Sequence, residues 1–137
     1  MIKLFLSKQF AGFLLVGGLA ALLHWLARIM LSLTMPYYWA VFFAYAVGMA
    51  IAFALNSLYV FPKSDKPTRK QARDFLAINL IFLPVVWFSS LWLNEWLTGH
   101  GVLQYSEEVA HGIAITLPVM ASFLLYKFFA FSEKYYG

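Results

Sequence analysis

The sequence predicts an all-α integral membrane protein with four transmembrane helices. Three observations lead there. Residues of the AVILMFWYC set make up 63% of the 137 residues, and charged residues only 12%. A soluble domain carries about 25% charged residues, so this chain has too few to cover a surface in water. The apolar residues fall into four long runs, and the basic residues gather at alternate connections between them. The composition excludes a disordered chain and argues against a soluble enzyme. The length suits a single domain, residues 1–137.

The first predicted span, about 10–33, is uncharged from Phe10 to Ala27 and continues past Arg28. The second, about 38–61, runs from the Tyr37-Tyr38-Trp39 cluster to Phe61. The third, about 75–97, begins at Phe75 and contains Pro84. The fourth, about 109–131, contains Pro118. Each run is long enough to cross a bilayer core as a helix, at about 1.5 Å rise per residue over about 30 Å. In hydrocarbon the backbone must bond to itself, which a helix does within one segment. The runs lack the alternation of a β-barrel strand. The first exceeds the usual length of a signal-peptide apolar region, so it is expected to remain as a span.

Four spans place both termini on one side. Lys3 and Lys8 precede the first span. Lys63, Lys66, Arg69, Lys70 and Arg73 lie between the second and third, and Lys127 and Lys134 end the fourth. The opposite connections hold Glu95, Glu107 and Glu108 and no base. The positive-inside rule then predicts cytoplasmic N- and C-termini. This distribution accounts for the +4 net charge without nucleic-acid binding. Basic clusters beside a membrane also attract anionic lipid headgroups. Trp92, Trp96 and Tyr105 near one boundary, and Tyr59, Tyr135 and Tyr136 near the other, fit an interfacial aromatic belt. Cysteine is absent, which removes thiol chemistry and cysteine metal sites.

The two halves resemble each other. Lys8-Gln9-Phe10-Ala11-Gly12-Phe13 is similar to Lys70-Gln71-Ala72-Arg73-Asp74-Phe75, and each leads into an odd-numbered span. Phe53-x-x-Asn56-x-x-x-x-Phe61 is similar to Phe123-x-x-Tyr126-x-x-x-x-Phe131, and each closes an even-numbered span. Two spans per copy give both copies the same orientation, so the fold is expected to be two parallel-repeat helical hairpins.

On these motifs the chain resembles the GtrA family of small four-helix membrane proteins. The match runs through Phe10-x-x-Phe13-Leu14-Leu15-Val16-Gly17-Gly18-Leu19 and Gly48-x-x-x-x-Phe53-x-x-Asn56-x-x-Tyr59-Val60-Phe61. A degenerate copy, Phe123 to Phe131 with Lys127, closes the fourth span. The resemblance covers residues 8 to 134. It implies a multi-pass protein of the bacterial cytoplasmic membrane acting in cell-surface polysaccharide synthesis or lipid glycosylation. Such a protein moves a polyprenyl-phosphate-linked sugar across the membrane, or anchors the membrane glycosyltransferase that makes it. Ala20, Ala21, His24, Ser57 and Tyr126 depart from the residues common in the family. Those departures point to a different head group or a different way of working.

Ionisable and amide groups inside the spans are the candidate substrate-binding residues for the lipid phosphate or sugar: Arg28, His24, Asn56, Asn79 and Lys127. Gly17, Ala21, His24 and Arg28 share one helical stripe. Arg28 either binds a phosphate with its planar fork, or snorkels outward, or pairs with Glu107 or Glu108. His24 is either a neutral imidazole bonded between helices or a proton site. Asn56, Asn79 and Lys127 lie near the cytoplasmic ends of their spans and are expected at one depth, as a polar collar. The alternatives are interhelical hydrogen bonds for the asparagines and snorkelling for Lys127. His111 reads as an interfacial residue. No metal spacing, phosphate loop or catalytic set is present in the sequence, so no cofactor, no metal and no enzymatic activity are expected. A cation exporter would need an intramembrane carboxylate, which the spans lack. Small-residue rows, Gly48-x-x-x-Ala52, Ala46-x-x-x-Ala50-x-x-x-Ala54 and Ala110-x-x-x-Ala114, predict close helix contacts and a homo-oligomer or a protein partner.

Overall fold

The computed structural model describes residues 2–134, and all secondary structure among them is helical. Tyr135 and Tyr136 of the expected aromatic belt lie outside the described residues. A short helix α1, Ile2–Phe5, leads through a turn into α2, Lys8–Leu31. Ser7 caps α2, its Oγ accepting the Phe10 N–H at 3.1 Å. Pro36 opens α3, Tyr37–Leu55, where a missing N–H costs nothing. Pro67 likewise opens α4, Thr68–Gly99. The end of α4 is closed by a Schellman motif. Gly101 sits at φ +88, with Val102 N–H bonded to Leu97 O at 3.0 Å and Gly101 N–H to Thr98 O at 3.1 Å. Helices α5, Ser106–Ala114, and α6, Val119–Leu125, complete the fourth crossing.

Four segments are long and apolar enough to cross a membrane: Lys8–Leu31, Tyr37–Val60, Thr68–Gly99 and Ser106–Ala130. Their outward residues are apolar, including Leu15, Leu22, Met30, Leu58, Ile81 and Phe88. That surface suits hydrocarbon and would aggregate in water. At 32 residues α4 spans about 48 Å at 1.5 Å per residue, longer than a bilayer core. Arg69, Lys70, Arg73 and Asp74 all fall in its first two turns, which suits those turns to lie beyond the core. There Lys66 is ion-paired with Asp74 and donates to Phe129 O at 2.8 Å. Ser64 Oγ donates to Ser132 O at 2.9 Å, so the middle loop is tied to the end of the fourth crossing.

The two prolines act differently. Pro84 sits inside an unbroken α4. At Pro118 the predicted single fourth helix is instead divided into α5 and α6 by turns over residues 115–118. Proline lacks the N–H that the Ala114 carbonyl would accept. Leu117 N–H takes that carbonyl at 3.3 Å, and Thr116 gives both its N–H and its Oγ1–H to Ile113 O, at 3.1 and 2.7 Å. A hydroxyl one turn back makes the break tolerable in lipid.

The internal repeat has a structural counterpart. Both even-numbered crossings end in a π-turn, Asn56–Val60 and Tyr126–Ala130. Phe61 N–H bonds to Asn56 O, and Phe131 N–H to Tyr126 O, each at 2.8 Å. The closing residues adopt nearly equal conformations, φ −123, ψ 48 at Phe61 and φ −119, ψ 40 at Phe131. The extra residue in each wider turn aims these two phenyls into a shared core with Phe10, Phe13, Phe75 and Phe123. Helix α1 and the end of the fourth crossing both pack at this end of the bundle, as four crossings require.

Two of the three small-residue rows are used inside the bundle. Gly48 is buried against α2, and Ala110 and Ala114 are fully buried against α4 and α2. Ala46, Ala50 and Ala54 face outward.

Candidate functional site

At the end of the bundle opposite the phenyl core, α2 and α5 are joined by two rungs one helical turn apart. His24 and Arg28 are four apart on α2; Glu107 and His111 are four apart on α5. Arg28 is 0% exposed. Its Nη1 lies 3.4 Å from Glu107 Oε2 and its Nη2 3.2 Å from Glu108 Oε1. Nη1 also donates to Ser32 Oγ at 3.0 Å, and the guanidinium sits 5.4 Å from the Tyr37 ring. Tyr37 O–H and Trp25 Nε1–H donate to the Glu107 and Glu108 carbonyls, at 3.0 and 2.8 Å. Of the alternatives for Arg28, the pairing with both glutamates is the one observed.

The second rung is His24 Nε2 to His111 Nε2, 3.1 Å. Such a bond needs one N–H and one bare nitrogen, so it is an interhelical imidazole bond. His111 is 0% exposed, which corrects its reading as an interfacial residue. The amphipathic turn Glu107–His111 carries it inward. His24 also packs edge-on to Tyr45, centroids 5.6 Å apart. It leaves no room opposite: a Cβ on Gly48 would lie 2.7 Å from His24 Cβ.

Below the rungs, α2 and the fourth crossing part before meeting again at the phenyl core, where Phe10 and Phe13 reach Phe123 with centroids 4.8 and 5.1 Å apart. Between these closures lies a cavity of about 280 Å³. One side is the Gly17-Gly18-Ala21 face of α2; a Cβ on either glycine would meet nothing within 4 Å. The other side is the helix break, Ile115 to Pro118. Leu14, Gly18 and Thr116 are exposed, so the cavity reaches the lipid-facing surface between them.

The deep wall is polar. Asn79 Nδ2 donates to Tyr126 Oη and to Phe75 O, both at 2.8 Å, and Tyr45 O–H donates to Asn79 O at 2.8 Å. This links α3, α4 and the second π-turn. Asn56 is 1% exposed; its Nδ2 donates to Ala52 O at 2.8 Å, while its Oδ1 has no hydrogen-bond partner.

Of the predicted site residues, His24, Asn56 and Asn79 line the cavity; Arg28 and Lys127 do not. The expected collar is thus incomplete. Lys127 bonds the Gln9 side-chain oxygen, and Gln9 Nε2 donates to Val60 O at 3.2 Å, which fastens the turns at the phenyl-core end together. Sequence reasoning missed Tyr45, Ser122 and His111 as site residues. For His111 a signal existed: Glu107 and His111 repeat the four-residue spacing of His24 and Arg28 with opposite charge. No group of three or more His, Asp or Glu residues suited to a metal is formed among the described residues.

Four apolar crossings around a laterally open, partly polar cavity define a multi-pass membrane protein with a membrane-embedded site. The chain belongs to the GtrA/DPMS transmembrane-domain family, whose family model matches residues 12–131. No curated protein and no solved structure matched it.

Proposed function

We propose that the protein translocates a polyprenyl-phosphate-linked sugar across the bacterial cytoplasmic membrane, for cell-surface polysaccharide synthesis or lipid glycosylation, without catalysing a reaction of its own. Family membership supports the substrate class. The observation that carries the mode of action is the side opening between Gly17-Gly18 and Ile115–Pro118, below the rungs and above the phenyl core. A lipid-linked head can enter there from the bilayer. The basic residues at Lys8, Lys63 and Lys134 support the cytoplasmic placement of that end. The test is reconstitution. Purified protein in liposomes, given a labelled polyprenyl-phosphate sugar, should expose it on the far leaflet to an impermeant oxidant. Protein-free liposomes set the background rate; no acceleration above it removes the reading.

A second reading, a non-transporting partner of a polyprenyl-phosphate glycosyltransferase, is favoured by the outward Ala46-Ala50-Ala54 row. Such a row lets another helix, from an enzyme or a second copy, approach closely. Bulky residues at Ala50 should then abolish co-purification with the enzyme, and the purified protein alone should show no liposome translocation above the protein-free background.

A further inference from the structure

We infer that the cavity reads the sugar ring of the substrate as an uncharged polyol, with Asn56, Ser122 and Tyr126 as its specificity-determining residues. The phosphate stays outside the cavity. This rests on the translocation reading above and adds the chemical class of the head group.

The first ground is charge. No lining residue is Asp, Glu, Lys or Arg. The two cations nearest in sequence are engaged elsewhere: Arg28 with two carboxylates, Lys127 with Gln9. The one lining histidine, His24, is bonded to His111, so a charged ring carried into this space would lose water and meet no carboxylate, ammonium or guanidinium, which is unfavourable at membrane depth. Burial of a phosphate meets the same objection.

The second ground is the pattern of unused hydrogen-bonding capacity. Asn56 Oδ1 is a buried acceptor without a donor. Tyr126 Oη accepts from Asn79, and its own proton has no acceptor among the described residues. Ser122 Oγ–H donates to Val119 O at 2.9 Å and keeps its lone pairs. On these lining residues two acceptors and one donor are left for a ligand, whose groups must both donate and accept. Hydroxyls do this; carboxylates and ammonium groups each do only half. Size agrees. A cavity of about 280 Å³ lies at the small end of ligand pockets, which run about 300–1,000 Å³, and so suits a small head group.

The experiment uses the full chain in liposomes with three short-chain polyprenyl phosphates, bearing a hexose, a hexuronic acid and an aminohexose. The hexose lipid should cross at least about tenfold faster than either charged one. Asn56→Asp, which places a carboxylate in the same shape, should invert the order of hexose and aminohexose. Where that variant does not fold, Ser122→Asp, on α6, serves the same purpose. Equal rates for the three lipids, or an unchanged order in the folded Asp variant, overturn the inference. If no lipid crosses, the translocation reading fails, and equilibrium binding of the same lipids to the purified protein decides instead. Preference for the hexose lipid supports the inference, and equal binding overturns it.

Discussion

Phe61 and Phe131 stack with ring planes 3° apart and centroids 5.1 Å apart. Each is the residue released by a π-turn, so the pair marks where the two copies of the repeat meet. The relationship explains why the similarity between the halves is strongest at the ends of the even-numbered spans. There the chain must widen by one residue to deliver a phenyl to a shared core. The rest of each copy is free to drift.

Phe131→Ala should therefore be among the more costly substitutions, at about 3–5 kcal/mol. Phe131 is fully buried and touches Phe53, Phe61, Phe75 and Tyr126. Phe128→Ala, two residues from that core and exposed, should cost little. Reversible unfolding in bicelles compares the two.

Arg28→Ala should leave Glu107 and Glu108 facing a buried gap. The expected loss is about 3 kcal/mol, the lower end for breaking a buried pair, because both glutamates remain partly exposed. Adding Glu107→Gln and Glu108→Gln should restore much of it. If the triple variant is no more stable than Arg28→Ala, the ion pairs do not hold the outer rung.

Two glycines should respond in opposite ways. Gly48→Ala forces a methyl to within 2.7 Å of His24 Cβ and should cost about 1–3 kcal/mol by overpacking. Gly17→Leu meets open space, and its higher helix propensity should preserve or slightly raise stability. It should nevertheless block the cavity and stop translocation. Thermal unfolding beside the liposome assay separates the two effects.

Orientation is checked with single cysteines, since the native chain has none. Asp65→Cys should resist an impermeant thiol reagent in intact cells, and Leu103→Cys, 80% exposed, should react. The reverse pattern would place the basic loop outside.

The spans were legible because lipid demands long apolar runs, and such runs survive in a single sequence. The repeat was legible at Phe53–Phe61 and Phe123–Phe131 because a special backbone needs fixed spacing. The consequence of each proline was not. Pro84 and Pro118 look alike in sequence, but Thr116 supplies a hydroxyl to the turn before Pro118, which tolerates a full break there. The site was half legible. His24, Asn56 and Asn79 stand out as polar groups in apolar runs and do share the cavity. The partner of each polar group depends on which helix lies opposite. His111 reads differently once its partner is known, and Arg28 and Lys127 stand outside the cavity, held by Glu107, Glu108 and Gln9.

The side window changes what has to be sheltered. A head group entering between Gly17 and Thr116 leaves its prenyl tail in the surrounding hydrocarbon, where each methylene taken into water would cost about 0.8 kcal/mol. The bilayer then serves as the missing wall of the chamber. On the translocation reading, four crossings need enclose only a sugar, and tail length should scarcely matter.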